Sequence, residues 1–244
     1  MDAARSTLEQ ALALQGLRVL GGFVPSAQDA LPRLPGAAAP AVVWLIGQVG
    51  SAVWPAFAAS RFAGDGLPDP MDRWSQSIGD AMAAAGEGLA LYPSDGPPWW
   101  PFQQWMARCL PGQTSPLMLR LHPEFGLWQA CRFALALPRI HPRDLAALQA
   151  PPAVAPPAVD LCAACAGQPC LQACPVSAFG HIGLDVQACS GHLLAPADEG
   201  AECIQRGCLA RRACPVGAQH RYADAHAAFH MAAFADRRRG PIPG

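Results

Sequence analysis

Eight of the ten cysteines in this 244-residue chain lie between positions 162 and 214. They read Cys162-Ala163-Ala164-Cys165, four further residues, Cys170-Leu171-Gln172-Ala173-Cys174-Pro175, a lone Cys189, then Cys203, Cys208 and Cys214-Pro215. Clustered thiols can form disulfides, ligate zinc or hold iron–sulfur clusters. Two runs that each close on Cys-Pro fit the last option. A tight loop supplies three thiolates, a remote residue the fourth, and proline turns the chain away. Zinc knuckles need only short Cys pairs and no repeated Cys-Pro end. The spacing therefore predicts two [4Fe–4S] clusters, with zinc second and disulfides third.

In the bacterial two-cluster pattern the last cysteine of each run ligates the other cluster. By that rule one set is Cys162, Cys165, Cys170 and Cys214, and the other is Cys189, Cys203, Cys208 and Cys174. The loops are longer than in the standard run, with four residues between Cys165 and Cys170 and thirteen between Cys189 and Cys203. The count of eight ligands stands, and the exchange of fourth ligands between sets stays open. Cys109 and Cys131 lie outside the module and read as packing residues.

The elements that must carry this module suggest two domains. Residues 1–150 read as an α/β domain, 151–160 as a proline-rich linker, 161–222 as a small two-cluster ferredoxin-like domain, and 223–244 as a C-terminal helix and tail. In the first part, Ser6-Thr7-Leu8-Glu9 has capping-box spacing, and Leu17 to Leu20 reads as a short strand stopped by Gly21-Gly22. The run Ala41-Val42-Val43-Trp44-Leu45-Ile46 has the character of a strand buried on both faces. A helix of twelve residues is expected over 50–61. Asp69-Pro70 reads as a cap and first turn of a helix to Ala85. Strands are expected at 89–92 and 127–137, and a helix at 103–109. Strand, helix and strand of these lengths imply a layered α/β (α+β) domain rather than a bundle.

Charged residues make up 14% of the chain, well below the roughly 25% usual for soluble domains. Every Lys/Arg position is Arg and the net charge is −1, so no nucleic-acid partner is expected. Residues 36–60 are apolar but broken by Pro40, Gly47, Gln48, Gly50 and Pro55, and no membrane partner is expected. The start of the chain lacks a basic-then-apolar secretory layout. Ten cysteines without an export signal imply a reducing, cytoplasmic setting.

The order of four cysteines ending in Cys174-Pro175, one after Leu184-Asp185, and three ending in Cys214-Pro215 is similar to the C-terminal module of epoxyqueuosine reductases. Those enzymes, like reductive dehalogenases, use two [4Fe–4S] clusters to reduce a cobalamin. Asp69-Pro70-Met71-Asp72 before a long helix resembles a segment of the cblC-type cobalamin-processing family of decyanases and dealkylases. So does His122-Pro123-Glu124-Phe125-Gly126-Leu127-Trp128 running into Arg132-Phe133-Ala134-Leu135-Ala136-Leu137-Pro138. The resemblance implies a nitroreductase-like first domain, a corrinoid held against its sheet, and a low-potential electron donor protein. Trp99, Trp100, Phe102, His122, Phe125 and Trp128 would then line the corrinoid pocket.

Blander roles compete for the same residues. The three aromatics at 99–102 suit a core plug, and His122 suits a strand end bonded to backbone. His226 and His230 share one helix face at metal-ligand spacing but have no third ligand nearby in sequence. Asp95 is a candidate proton donor and equally a turn residue. Arg211-Arg212 would either dock an acidic electron donor or be solvated. At the level of function, an electron relay to a corrinoid competes with a ferredoxin-like carrier whose first domain only docks a partner, and with clusters that merely staple a loop-rich domain.

Overall fold

The strand signal around Val42 is borne out in a computed structural model that describes residues 2–149, 160–180, 183–196 and 199–239. The strands are β1 (Arg18–Phe23), β2 (Val42–Val49), β3 (Leu89–Leu91), β4 (Gln113–Thr114), β5 (Arg120–Leu121), β6 (Gln129–Leu137), β7 (Phe179–Gly180) and β8 (Gly183–Leu184). The main sheet has the order β1-β2-β6-β3. Arg18 faces Gly47 and Phe23 faces Val43, while Leu89 faces Ala136 and Leu91 faces Ala134, so both outer pairs are antiparallel. Ala41 N–H bonds to Leu137 O at 2.8 Å, and Gly47 lies against Ala130. The central pair β2-β6 is therefore antiparallel as well, and the mixed helix-and-sheet architecture is of the α+β kind.

The chain divides into two compact units that do not coincide with one cut in sequence. The first is Met1–Pro111 with Ala130–Ala155, and the second is Gly112–Gln129 with Pro156–Gly244. A contiguous first domain over 1–150 would include residues 112–129; the structure groups them with the cysteine module instead. The expected 151–160 linker lies outside the described residues except for Asp160.

In the first unit, β1 runs through Gly21-Gly22 rather than stopping there. A Cβ on Gly22 would sit 2.3 Å from the Trp44 ring, and one on Gly21 would sit 3.0 Å from Cys109. The glycines thus allow close packing inside the strand, and the register shift between Val19 and Gly21 absorbs an extra residue. The helices here are α1 (Asp2–Leu14), α2 (Trp54–Ala58), α3 (Pro70–Ala85), α4 (Phe102–Cys109) and α5 (Pro142–Gln149). Since α1 begins at Asp2, Ser6 is inside it and not at its cap. Only five residues of the expected 50–61 helix are α-helical. Asp69 stands before α3 in the left-handed region (φ 50°) without a side-chain cap bond; its carbonyl accepts from Asp72 and Arg73 instead. Phe102, Trp105 and Met106 of α4 pack on Val43, Leu45, Leu91, Ala134 and Ala136 of the sheet. Arg132 reaches from β6 to Ser75 and Asp72 of α3 at 3.1 and 2.9 Å.

The second unit is built from short pieces: the hairpins β4-β5 and β7-β8, α6 (Pro169–Gln172), α7 (Val186–Leu193), α8 (Ala201–Arg206), α9 (Leu209–Ala213) and the longer α10 (Asp224–Arg239). Its apolar groups are small. One joins Leu117, Leu121, Leu127, Ala210 and Cys214; another joins Leu193, Cys203 and Ala235. Cysteines occupy positions where a larger domain would place aliphatic side chains. Among the described residues, no helix is long and apolar enough to cross a membrane.

Candidate metal centres

The first cysteine loop is anchored at its entry. Asp160, two residues before Cys162, accepts the N–H groups of Cys162 and Ala163 at 2.9 and 3.0 Å. The Gln113 amide of β4 donates to the same carboxylate at 2.5 Å and accepts Leu161 N–H at 2.9 Å. The Ala163 N–H, the Gln113 amide and the Cys162 N–H together hold the Asp160 carboxyl below its usual value. Cys170 lies in α6 behind Pro169. Asp185 caps α7 by accepting Ala188 N–H at 2.9 Å, which sets the turn carrying Cys189. Cys203 sits in α8, Cys208 at the cap of α9, and Cys214 just past its end.

The thiols influence one another across the two halves of the module. Burial pushes Cys162 up to about 11, and Asp160 and the thiols of Cys214, Cys170 and Cys165 add to the push. Burial also takes Cys189 to about 11, with Cys208, Cys174, Cys203 and Asp185 adding to it. Cys214 is raised by burial with Cys170 and Cys165 beside it, and Cys203 by burial with Cys208 and Cys174 beside it. Cys214 thus stands near thiols of the first run, and Cys174 near those of the second. Both sets border the aliphatic group around Leu117, Leu121 and Leu127.

Backbone N–H groups oppose the effect of burial. Val216 bonds to the Cys214 sulfur, Leu171 to Cys170, Leu209 to Cys203, and Arg211 and Ala210 to Cys208. Ala178 N–H reaches the Cys174 sulfur at 3.3 Å. Such donors stabilise thiolates in a site that otherwise disfavours charge. All ten cysteines are free of disulfides. Cys162, Cys165, Cys170 and Cys214 line one cavity whose other walls are Leu117, Leu121, Leu127, Leu161 and Val216, with Ser115 and Gln168 as its polar side chains.

The hairpin region 112–129 closes on the end of the module by backbone contact. Gly126 (φ 60°) lies so close to Val216 that a Cβ would sit 1.9 Å from the Val216 carbonyl oxygen, and a Cβ on Gly217 (φ 67°) would sit 2.4 Å from the Gly126 nitrogen and the Phe125 carbonyl carbon. Arg211 donates to Leu127 O and stacks on Trp128 and Tyr222, its guanidinium carbon 4.5 and 4.6 Å from their ring centroids. Arg212 bonds Asp224 at 2.9 Å and Arg206 O at 3.0 Å. Both arginines thus have internal work, in place of the docking or solvated roles expected for them. Arg211→Lys, which keeps the charge but not the planar stack, should destabilise the second unit by about 1–3 kcal/mol. Chemical unfolding of the two proteins under anaerobic conditions checks this, and unchanged stability would return Arg211 to the surface role.

The aromatic candidates are divided between units. Trp99 is 64% exposed. Trp100 stacks on Trp105 (6.1 Å, 25°) and Phe102 packs on it at 5.1 Å, both within the first unit's core. His122, Phe125 and Trp128 belong to the second unit. His122 Nδ1 accepts the N–H groups of Glu124 and Phe125, each at 3.1 Å, and its ring stacks on Phe125 at 4.3 Å. That is the backbone-bonded role. Trp128 packs on Tyr222 at 5.4 Å. Asp95 accepts Tyr92 N–H at 2.9 Å, as a turn residue does. His226 and His230 face each other with Nε2 atoms 3.1 Å apart, and His226 is stacked under Tyr222. Burial pushes Cys131 up to about 12, with the Cys109 thiol adding to it, in keeping with a packing role.

Three residues with contacts here carry no motif, Gln113, Ser115 and Asp160, and Gly126 appeared only as one position of the His122–Trp128 segment. Only Asp160 had a signal, a carboxylate placed two residues before a loop whose N–H groups it can accept. No protein-family model matches the chain, and no curated protein is significantly similar to it.

Proposed function

We propose that the second unit is a two-cluster ferredoxin-like domain and that the protein carries single electrons. The observation that carries this reading is that Cys214 lines one cavity together with Cys162, Cys165 and Cys170 from the other half of the module. The donor chemistry fits: soft sulfur ligands, backbone N–H groups on five of them, and an aliphatic wall around one group. Among the described residues, no three His, Cys, Asp or Glu side chains converge as ligands of a single ion. A cubane spreads its four thiolates around a larger volume than a single zinc ion needs, and the two runs ending in Cys-Pro favour it. Cys162, Cys165, Cys170 and Cys214 would hold one [4Fe–4S] cluster, and Cys174, Cys189, Cys203 and Cys208 the other. The clusters supply reversible one-electron transfer. The chain's own contribution is to hold the sulfurs, donate N–H bonds to them and exclude water with Leu117, Leu121 and Leu127.

The resemblance extends the proposal to a nitroreductase-like first unit that presents a corrinoid to these electrons, with a low-potential protein as donor. The test is to mix the chemically reduced protein with hydroxocobalamin without oxygen and follow the corrinoid absorption. Reduction at stoichiometric protein supports the corrinoid acceptor. A reduced protein that bleaches and reoxidises repeatedly without altering the corrinoid supports the carrier alone. Clusters that cannot be cycled without unfolding would contradict both.

A further inference from the structure

Ser115 is 5% exposed, and its hydroxyl oxygen is fully enclosed without a hydrogen-bond partner. It lines the cavity shared by the thiols of Cys162, Cys165, Cys170 and Cys214. Its main chain is already committed: Ser115 N–H bonds to Leu119 O and its carbonyl accepts Met118 N–H, both at 2.9 Å. That turn fixes the residue at the tip of the β4-β5 hairpin, and Gln113 ties the hairpin to the loop entry at Asp160 and Leu161. A buried hydroxyl left unpaired is destabilising, so its presence in a cavity lined by four thiols points to an acceptor there.

We propose that the Ser115 hydroxyl donates a hydrogen bond to a sulfur of the cluster held by Cys162, Cys165, Cys170 and Cys214, and so raises the reduction potential of that cluster above what its thiolates alone would set. This rests on the cluster reading above. Reduction adds negative charge to the cluster, and a donor aimed at sulfur strengthens as that charge grows. The hydroxyl therefore favours the reduced form. The thiols of Cys174, Cys189, Cys203 and Cys208 do not line the cavity of Ser115, so that set serves as an internal reference.

The experiment is a redox titration of wild-type and Ser115→Ala proteins, purified without oxygen, followed by electron paramagnetic resonance, with iron and sulfide counted in each. With equal counts, the first cluster of Ser115→Ala should be harder to reduce by about threefold to tenfold in its equilibrium constant, the second staying unchanged. In the wild type, an exchangeable proton coupled to the reduced first cluster should be seen by electron–nuclear double resonance and be lost in the variant. Equal potentials with the same proton coupling would overturn the role of Ser115 while leaving the clusters in place. If the variant loses iron, the wild-type spectrum decides: no exchangeable side-chain proton at the first cluster overturns the proposal. A wild-type protein without iron or sulfide overturns the cluster reading and this proposal together.

Discussion

Cys214→Ala should remove the cluster of Cys162, Cys165 and Cys170, the loop far upstream of it, and spare that of Cys189, Cys203 and Cys208. Bound iron is expected to fall from about eight to about four atoms per chain. Cys174→Ala should do the converse. The reason is spatial: the Cys214 thiol neighbours Cys170 and Cys165, and the Cys174 thiol neighbours Cys189, Cys203 and Cys208. Double variants make the test sharp, because changes within one set should be non-additive and changes across sets additive. Cys162→Ala with Cys214→Ala should lose no more iron than either alone. Cys189→Ala with Cys214→Ala should lose nearly all of it. The opposite pattern in both doubles would show that each half keeps its own last cysteine.

Gly126→Ala carries a large expected effect outside the cysteines. Its φ of 60° disfavours a side chain by about 1–2 kcal/mol, and the added methyl would collide with the Val216 carbonyl at 1.9 Å. Overpacking of that kind adds about 1–3 kcal/mol. Val216 also donates its N–H to the Cys214 sulfur, so a displaced Val216 disturbs a candidate ligand. The expected outcome is a loss of about 2–4 kcal/mol in anaerobic chemical unfolding, with faster loss of iron from the set containing Cys214. Gly36→Ala is the control, since Gly36 has φ 81° but nothing within 4 Å of an added Cβ. It should cost only the backbone part. Equal effects of the two substitutions would mean that the Gly126–Val216 contact contributes nothing.

The candidate ligands were legible because thiol spacing and the paired Cys-Pro ends point to sulfur-ligand chemistry directly. The hairpin that completes their site was not. Gln113 and Ser115 act as single polar side chains with no spacing signature, and Gly126 acts through backbone proximity to a residue ninety positions later. Residues 112–129 are flanked on both sides by first-unit elements, so sequence order alone assigns them to the wrong unit. In the first unit the apolar run at β2 was readable, whereas Gly21-Gly22 misled because glycine marks close packing as often as it marks a turn. The helix α5 escaped notice beside proline-rich sequence. Of the aromatic candidates, composition could not distinguish exposed Trp99 from buried Phe102.

Two redox-active clusters on eight cysteines, as proposed, would be directly countable. The direct measurement is a count of iron and acid-labile sulfide on protein purified without oxygen, combined with Mössbauer spectra before and after reduction. About eight irons and about eight sulfides per chain are expected, in two cubane clusters that each take up one electron reversibly. Colourless protein holding zinc and no acid-labile sulfide would contradict the cluster reading.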